Sequence, residues 1–264
     1  MLDLKQPHFF SKKGLTPYIT LADPNLDFTE KLLIKLYQEN LAAIEIGLPF
    51  SDPIADGPVI QASHHRALQN FPSLSVTHAF DLLKKTQSFK KVPVIFMTAV
   101  NLVFNYGIER FFKDAEKVGL DALILPDLNP EYADDYITLS KKYNIALIFL
   151  VSPLVTTQRL HKIVHASQGF VYLISRVGVT GEQGELAQDL AKKVKAIKEV
   201  KNIDVGIGFG ISTLKQVEKV LEISDSAIVG SFLIKKIQEA KNKNENENEM
   251  ISVAIKALRS LNHA

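Results

Sequence analysis

A closed (β/α)₈ barrel, the TIM-barrel fold, carrying extra helices in a single domain over residues 1–264, is the architecture this sequence predicts. Three observations carry the prediction. Short apolar runs recur eight times, segments of helical period alternate with them, and the 264 residues match the roughly 250 typical of that fold. The runs are 17–21, 42–47, 93–98, 121–125, 145–151, 169–174, 204–208 and 226–230. Between the first two, residues 27–39 align Leu32, Leu33, Leu36 and Tyr37 in one stripe. Residues 108–118 do the same with Phe111, Phe112, Ala115 and Val118. An open doubly wound sheet is the competing architecture, and the strand count favours the barrel. Residues 61–68 read as an additional short helix before the main one around 75–89, and insertions after a strand lie on the catalytic face of a barrel. The tract KNKNENENE at 241–249 reads as a solvated spacer. After it comes a last amphipathic helix whose Ile251, Ile255, Leu258 and Leu261 share a face. No second domain boundary is visible.

Composition narrows the function classes. The chain has 46% apolar and 23% charged residues and no cysteine, which excludes a disulfide scaffold and predicts a soluble, cytoplasmic enzyme-sized domain. Its first residues, MLDLKQPHFF, do not form a basic leader followed by an apolar stretch. The most apolar run, 145–151, is far shorter than the roughly 18 residues a membrane span needs. The net charge of +2 comes from mixed Lys and Glu, so nucleic-acid affinity has no electrostatic source. Small molecules or proteins are the expected partners.

The segment AIEIGLPFSDPIADGP at 43–58 carries the strongest chemical signal. Ala42, Ala43, Ile44 and Ile46 suit a strand buried on both faces, and a Glu among them is costly unless its proton has a use. Burial raises the pKa of such a group. Asp52, Pro53, Asp56, Gly57 and Pro58 then make a stiff polar loop able to set Asp56 opposite Glu45 across a pocket. Two carboxylates in unlike surroundings can divide acid and base roles. The plainer alternatives are a structural ion pair between Glu45 and a buried Arg, and a solvated or helix-capping role for Asp52 and Asp56.

Two glycine-bearing strand ends come late: Gly206-Ile207-Gly208-Phe209-Gly210-Ile211-Ser212, then Val229-Gly230-Ser231. Barrels commonly hold a phosphate at these positions, because glycine lets backbone N–H groups approach an anion and Ser231 opens a helix at the positive end of its dipole. Either cluster alone also serves tight turning; together they favour a phosphorylated substrate. The stretch from Tyr172 to Leu186 reads as a closing lid hinged at Gly178, Gly181 and Gly184. In such a lid Thr180 would bond a carboxylate of the acidic loop and Gly181 would lend an N–H to the phosphate. A merely flexible loop is the alternative.

Taken in order, TPYITLADP at 16–24, IEIGLPFSDPIADGPVIQ at 44–61, NLVFNYG at 101–107, YLISRVGVTG at 172–181, GFGIS at 208–212 and the Gly230-Ser231 turn closely resemble the α chain of tryptophan synthase over almost the whole length. The resemblance implies a (β/α)₈ barrel that cleaves indole-3-glycerol phosphate into indole and glyceraldehyde 3-phosphate. It implies Glu45 as general acid and base and Asp56 as the group holding the indole N–H. Tyr172 would line the site near Glu45, Tyr18 would take the place of an aromatic beside the indole, and Gly181, Phe209, Gly210, Gly230 and Ser231 would bind the phosphate. No metal or organic cofactor is implied for this chain. Pyridoxal phosphate is expected only in a β-chain partner, within an α₂β₂ heterotetramer. The acidic loop around Pro53, the 101–107 turn and residues 127–131 would face that partner, although the apolar Leu102-Val103-Phe104 is equally suited to core.

Three departures stand against the match. Ala99 and Val100 occupy a stretch where the family often has a Tyr, Asn129-Pro130 replaces a pair of prolines, and Ile207 stands where a Gln is frequent. They bear on substrate affinity and signalling to the partner. Two rival readings remain: another phosphosugar barrel enzyme such as an isomerase, against which the acidic loop argues, and a non-catalytic activating subunit, against which the intact Glu45 and Asp56 argue.

Overall fold

A computed structural model describes residues 8–53, 56–175, 183–208 and 210–262. In chain order its elements are β1 (Gly14–Thr20), α1 (Leu26–Leu36), β2 (Ile44–Gly47), α2 (Pro58–Asn70), α3 (Val76–Thr86), β3 (Val94–Met97), α4 (Val100–Tyr106), α5 (Ile108–Lys117), β4 (Ala122–Ile124) and α6 (Asp134–Lys142). There follow β5 (Ala146–Ile148), β6 (Leu150–Val151), α7 (Thr157–Ala166), β7 (Phe170–Ile174), α8 (Gln183–Val200), β8 (Asp204–Gly208), α9 (Leu214–Ile223), β9 (Ser226–Val229), α10 (Ser231–Asn242) and α11 (Glu247–Arg259). Expectations for residues 176–182 and 209, among them Thr180, Gly181 and Phe209, lie outside the described residues.

Every strand pair is parallel, in the order β5-β4-β3-β2-β1-β9-β8-β7-β6. The two ends of that order are consecutive in the chain. Only Phe149 separates β5 from β6, and its carbonyl accepts the Tyr172 N–H at 3.2 Å. The sheet therefore returns on itself, which makes it the TIM barrel and not the open doubly wound sheet. The eight apolar runs become nine strands because the fifth pairs with one neighbour before Phe149 and the other after it.

Period-two alternation sorts each strand into two faces. Ile19, Ile44, Ile46, Phe96, Leu123, Leu147, Val171 and Ile207 face the helices in one large cluster. Tyr18, Ile95, Met97, Ile124, Ile148, Phe170, Tyr172 and Ile228 belong to a second cluster that fills the barrel. Both faces are buried, as the near-continuous Val, Ile and Leu of the runs require. At the N-terminal end the barrel is plugged by Phe9 and Phe10, whose rings lie 5.1 and 5.0 Å from that of Phe170. Asp204 holds the plug by accepting the N–H groups of Phe9 and Phe10 at 2.7 and 3.0 Å, with His8 Nδ1 at 2.8 Å.

The extra helix after the acidic loop is α2, which is longer than the sequence indicates. A bidentate Arg66–Asp23 ion pair at 2.6 and 3.0 Å ties it to the turn after β1. The 241–249 tract is a spacer only at its centre, since α10 runs through Asn242 and α11 starts at Glu247. A capping box explains the early start: Asn246 accepts the Glu249 N–H at 3.1 Å and donates its own to Glu249 Oε2 at 2.8 Å. Residues 101–107 likewise form most of a helix, α4, with Val103 in the core and Phe104 65% exposed.

Candidate active site

β2 delivers Glu45 to the barrel interior, in register with Tyr18 on one side and Ile95 on the other. The residue is 1% exposed, and neither carboxylate oxygen has a hydrogen-bond partner among the described residues. Among the described residues no Arg or Lys pairs with it, and the partly buried Arg66 serves Asp23. Burial, reinforced by the nearby Asp56 charge, pushes the Glu45 pKa up to about 8. The group is predominantly protonated at neutral pH.

Asp56 sits on the loop joining β2 to α2. Its N–H closes a turn onto the Pro53 carbonyl at 3.0 Å, and Gln61, one turn into α2, reaches back to the Asp56 carbonyl at 2.9 Å. Gly57 accepts the first helical N–H groups, from Ile60 and Gln61, and Pro58 opens the helix at the position proline favours. Asp56 is half-buried, and desolvation raises its pKa to about 6. Asp52 is exposed. The two carboxylates thus differ as their settings differ: at pH 7 Glu45 holds its proton while Asp56 is ionised.

Both acids line one pocket with Tyr18, Tyr172, Gly210, Gly230 and Ser231, enclosing about 410 Å³ of atom-free space open to solvent. Apolar walls come from Ile60, Met97, Ile211 and Ile228. Two glycines make room for the tyrosines: a Cβ on Gly47 would collide with the Tyr18 hydroxyl, and one on Gly208 with that of Tyr172. Gly210, with φ of 80°, occupies backbone space that other residues rarely adopt. Ser231 is the first residue of α10, so backbone N–H groups of that helix start at the pocket wall. A second cleft of about 390 Å³ shares Tyr18, Asp56 and Met97 and continues past Phe50, Pro53, Ala99 and Asp127.

Seven of the ten residues singled out from the sequence therefore meet at one place: Glu45, Asp56, Tyr18, Tyr172, Gly210, Gly230 and Ser231. A family model described as the tryptophan synthase alpha chain matches residues 4–263. The chain belongs to the tryptophan synthase alpha chain family. Among its relatives, the tryptophan synthase alpha chain of a Thermoanaerobacter species is 37% identical over 232 residues, covering 88% of this chain and 87% of the other. That of Methanocaldococcus jannaschii is 38% identical, covering 86% and 80%. In structure the chain is similar to the tryptophan synthase subunit alpha from Campylobacter jejuni, at 33% identity and a TM-score of 0.85, covering 99% and 100% of the two chains. A tryptophan synthase complex from Pyrococcus furiosus gives 30% identity, a TM-score of 0.84, and coverage of 96% and 98%.

Within this tryptophan synthase alpha chain family fold, the three departures separate. Ala99 lines the second cleft beside Asp127. Asn129 accepts from Arg159 at 2.9 Å, and Glu131 pairs with the same guanidinium at 2.7 Å, so that loop is tied to α7. Ile207 is fully buried on the outer face of β8, toward the helices and away from the pocket. The sequence left open what Ile207 does to the pocket; in the fold its neighbours Gly206 and Gly208 hold the inward positions of the strand. Sequence reasoning missed His64, a buried side chain of α2 that bonds Tyr18. A lone His within a helix gives no signal of its own; its partner lies 46 positions earlier.

Proposed function

We propose that this chain is the lyase of the α reaction, cleaving indole-3-glycerol phosphate to indole and glyceraldehyde 3-phosphate for tryptophan biosynthesis. The observation that carries the reading is Glu45: a carboxyl group with both oxygens buried and unpartnered among the described residues, in the same pocket as a second, ionised acid. Indole is a poor leaving group until its C3 is protonated. In the proposed sequence, protonated Glu45 gives its proton to C3, and the positive charge that spreads to the ring nitrogen is held by the Asp56 carboxylate. Glu45, now ionised, takes the proton of the hydroxyl on the carbon bonded to C3. The carbon–carbon bond breaks, its electrons restore the aromatic ring, and the oxygen becomes the aldehyde. Glu45 ends protonated as it began.

Gly210, Gly230 and Ser231 border the same pocket, the last two at the start of α10, where a phosphate dianion gains from N–H groups and the helix dipole. Tyr172 and Tyr18 flank the acids. Thr180, Gly181 and Phe209 complete the proposed site by family likeness alone. The residues act in one catalytic domain with no cofactor of its own; pyridoxal phosphate belongs to a β-chain partner in a cytoplasmic α₂β₂ assembly. Support for that partner comes from the complex formed by the Pyrococcus furiosus relative and from the grouping of the Pro53 loop, Ala99 and Asp127 around one cleft. No helix among the described residues is long and apolar enough to cross a membrane. An indole-formation assay with and without a β chain tests the reading: indole appears in both and faster with the partner. A correctly folded chain that forms no indole in either arm overturns it.

A further inference from the structure

Asp56 lies between β2 and α2, so neither a strand ladder nor a helix fixes its backbone. The groups that hold it come from α2. The Gln61 amide nitrogen lies 2.9 Å from the Asp56 carbonyl and 3.4 Å from the Pro53 carbonyl. An amide nitrogen carries two hydrogens, one for each carbonyl, and only that end of the side chain can donate. Pro53 and Asp56 are the two ends of the turn that the Asp56 N–H closes at 3.0 Å. Gln61 therefore grips both sides of the turn at once. Three positions further along α2, the His64 ring accepts the Phe50 N–H at 3.4 Å, where the chain has just left β2.

α2 can serve as a fixed bar because β1 and the turn after it hold the helix at three levels. Tyr18 meets His64 at 2.9 Å, Thr20 meets Ser63 at 2.6 Å, and Asp23 takes both arms of Arg66 at 3.0 and 2.6 Å. β1 in turn pairs with β2, with Tyr18 opposite Glu45. A continuous line thus runs from Glu45 through β1 and α2 to the Asp56 backbone, and Gln61 is its last link. The link has a force to resist. Burial raises the Asp56 pKa to about 6, so at pH 7 the ionised carboxylate gains by turning out into water.

We propose that Gln61 is a positioning residue: by gripping the Pro53 and Asp56 carbonyls it keeps the Asp56 carboxylate in the pocket with Glu45 before substrate arrives. Its effect on turnover rests on the proposed reaction; its effect on the Asp56 carboxyl does not.

Gln61→Met keeps the length of the side chain and removes both donors, and Gln61→Ala repeats the measurement with no side chain in the amide's place. Among the described residues, the titratable groups that line the Asp56 pockets are Glu45, Tyr18, Tyr172, His64, Asp52 and Asp127. Gln61 is uncharged, so either replacement leaves all their charges alone and a change in the Asp56 titration reports its surroundings. Carbon-13 NMR of the labelled Asp56 carboxyl, assigned with Asp56→Asn, follows it without turnover. The parent titrates near 6, and in both Gln61 variants the midpoint falls toward the ordinary 3.8, by about half a unit or more, as the carboxylate reaches water. A parent midpoint at the ordinary value, or a variant midpoint that stays or rises, overturns the proposal.

Steady-state kinetics with indole-3-glycerol phosphate give the second reading. In Gln61→Met kcat/KM falls about fivefold to tenfold, the worth of one buried hydrogen bond. The same substitution placed in Asp56→Asn costs less than about twofold more, because the group it positions is already gone. Equal losses in the two backgrounds make Gln61 a general structural contact and overturn the proposal. A parent that forms no indole removes the proposed reaction, while the carboxyl titration still decides whether Gln61 holds Asp56.

Discussion

Asp204 and Glu45 are both carboxylates on barrel strands, 3% and 1% exposed, and nearly everything else about them differs. Asp204 begins β8 and is surrounded by donors: two backbone N–H groups and His8. Glu45 lies within β2 and has none among the described residues. Burial by itself therefore does not mark a reactive acid. A carboxylate given donors acts as a structural tie, whereas Glu45, denied them, keeps its proton to pH values where it can lend it. Asp121, at the N-terminal end of β4, repeats the first pattern by accepting the Val94 N–H at 2.7 Å and pairing with Lys90 at 2.5 Å. These two saturated acids sit at the N-terminal ends of their strands, where barrels keep their stability, and the unsatisfied Glu45 faces the pocket.

Glu45→Gln is the sharpest break of this contrast. Indole formation falls by about 10² to 10⁴, the usual worth of a positioned proton transfer, with the barrel intact by circular dichroism. The stability change has a definite sign. A carboxyl with a folded pKa near 8 and an ordinary value of 4.5 binds more protons folded than unfolded between those pH values, so parental stability declines as pH rises through that window. The Gln variant lacks that decline, so its thermal midpoint gains on the parent between pH 5 and pH 8. A constant gap would mean that Glu45 is ionised and compensated. For Asp204→Ala the pattern inverts. Stranding the N–H groups of Phe9 and Phe10 costs about 3 kcal/mol in urea unfolding, with kcat little changed well below the midpoint. A variant that folds as firmly as the parent would show that the plug is held by its phenylalanines alone.

How much of this was legible in the sequence depends on how far apart the partners lie. Glu45 announced itself because its neighbours are apolar, and all eight strand runs were visible as local patterns. The break at Phe149 was not, since the run stays apolar across it and only pairing to two different strands reveals the split. Asp204 reads as an ordinary acid at a strand start, its partners lying 194 to 196 positions away. The link from His64 to Tyr18 is equally hidden. The inward face of β8 was legible in principle, because alternation puts Ile207 opposite to Gly206 and Gly208.

A smaller effect is expected from pH alone. With Asp56 ionised above about 6 and Glu45 protonated below about 8, kcat/KM follows a bell between those values. The limbs belong to the pair, because the Asp56 charge contributes to the Glu45 shift. Asp56→Asn removes the acid limb and leaves a lower profile bounded on the basic side. Retention of the acid limb in that variant would assign it to another group and dissolve the division of roles.

The smallest expected effect tests whether the face of a strand, and not its place in the chain, decides which residues speak to the chemistry. β8 carries Asp204 and both inward glycines on one face and Ile207 on the other. Ile207→Val removes one methylene from the shell between barrel and helices, where it is fully buried. The cost is about 1 kcal/mol of stability, read as a lower urea midpoint. KM for indole-3-glycerol phosphate stays at the parental value, because no atom of Ile207 borders the pocket. A raised KM with unchanged stability would mean that the outer face of β8 reaches the substrate after all. The contrast between a structural acid and a reactive one would then no longer follow from which way each side chain points.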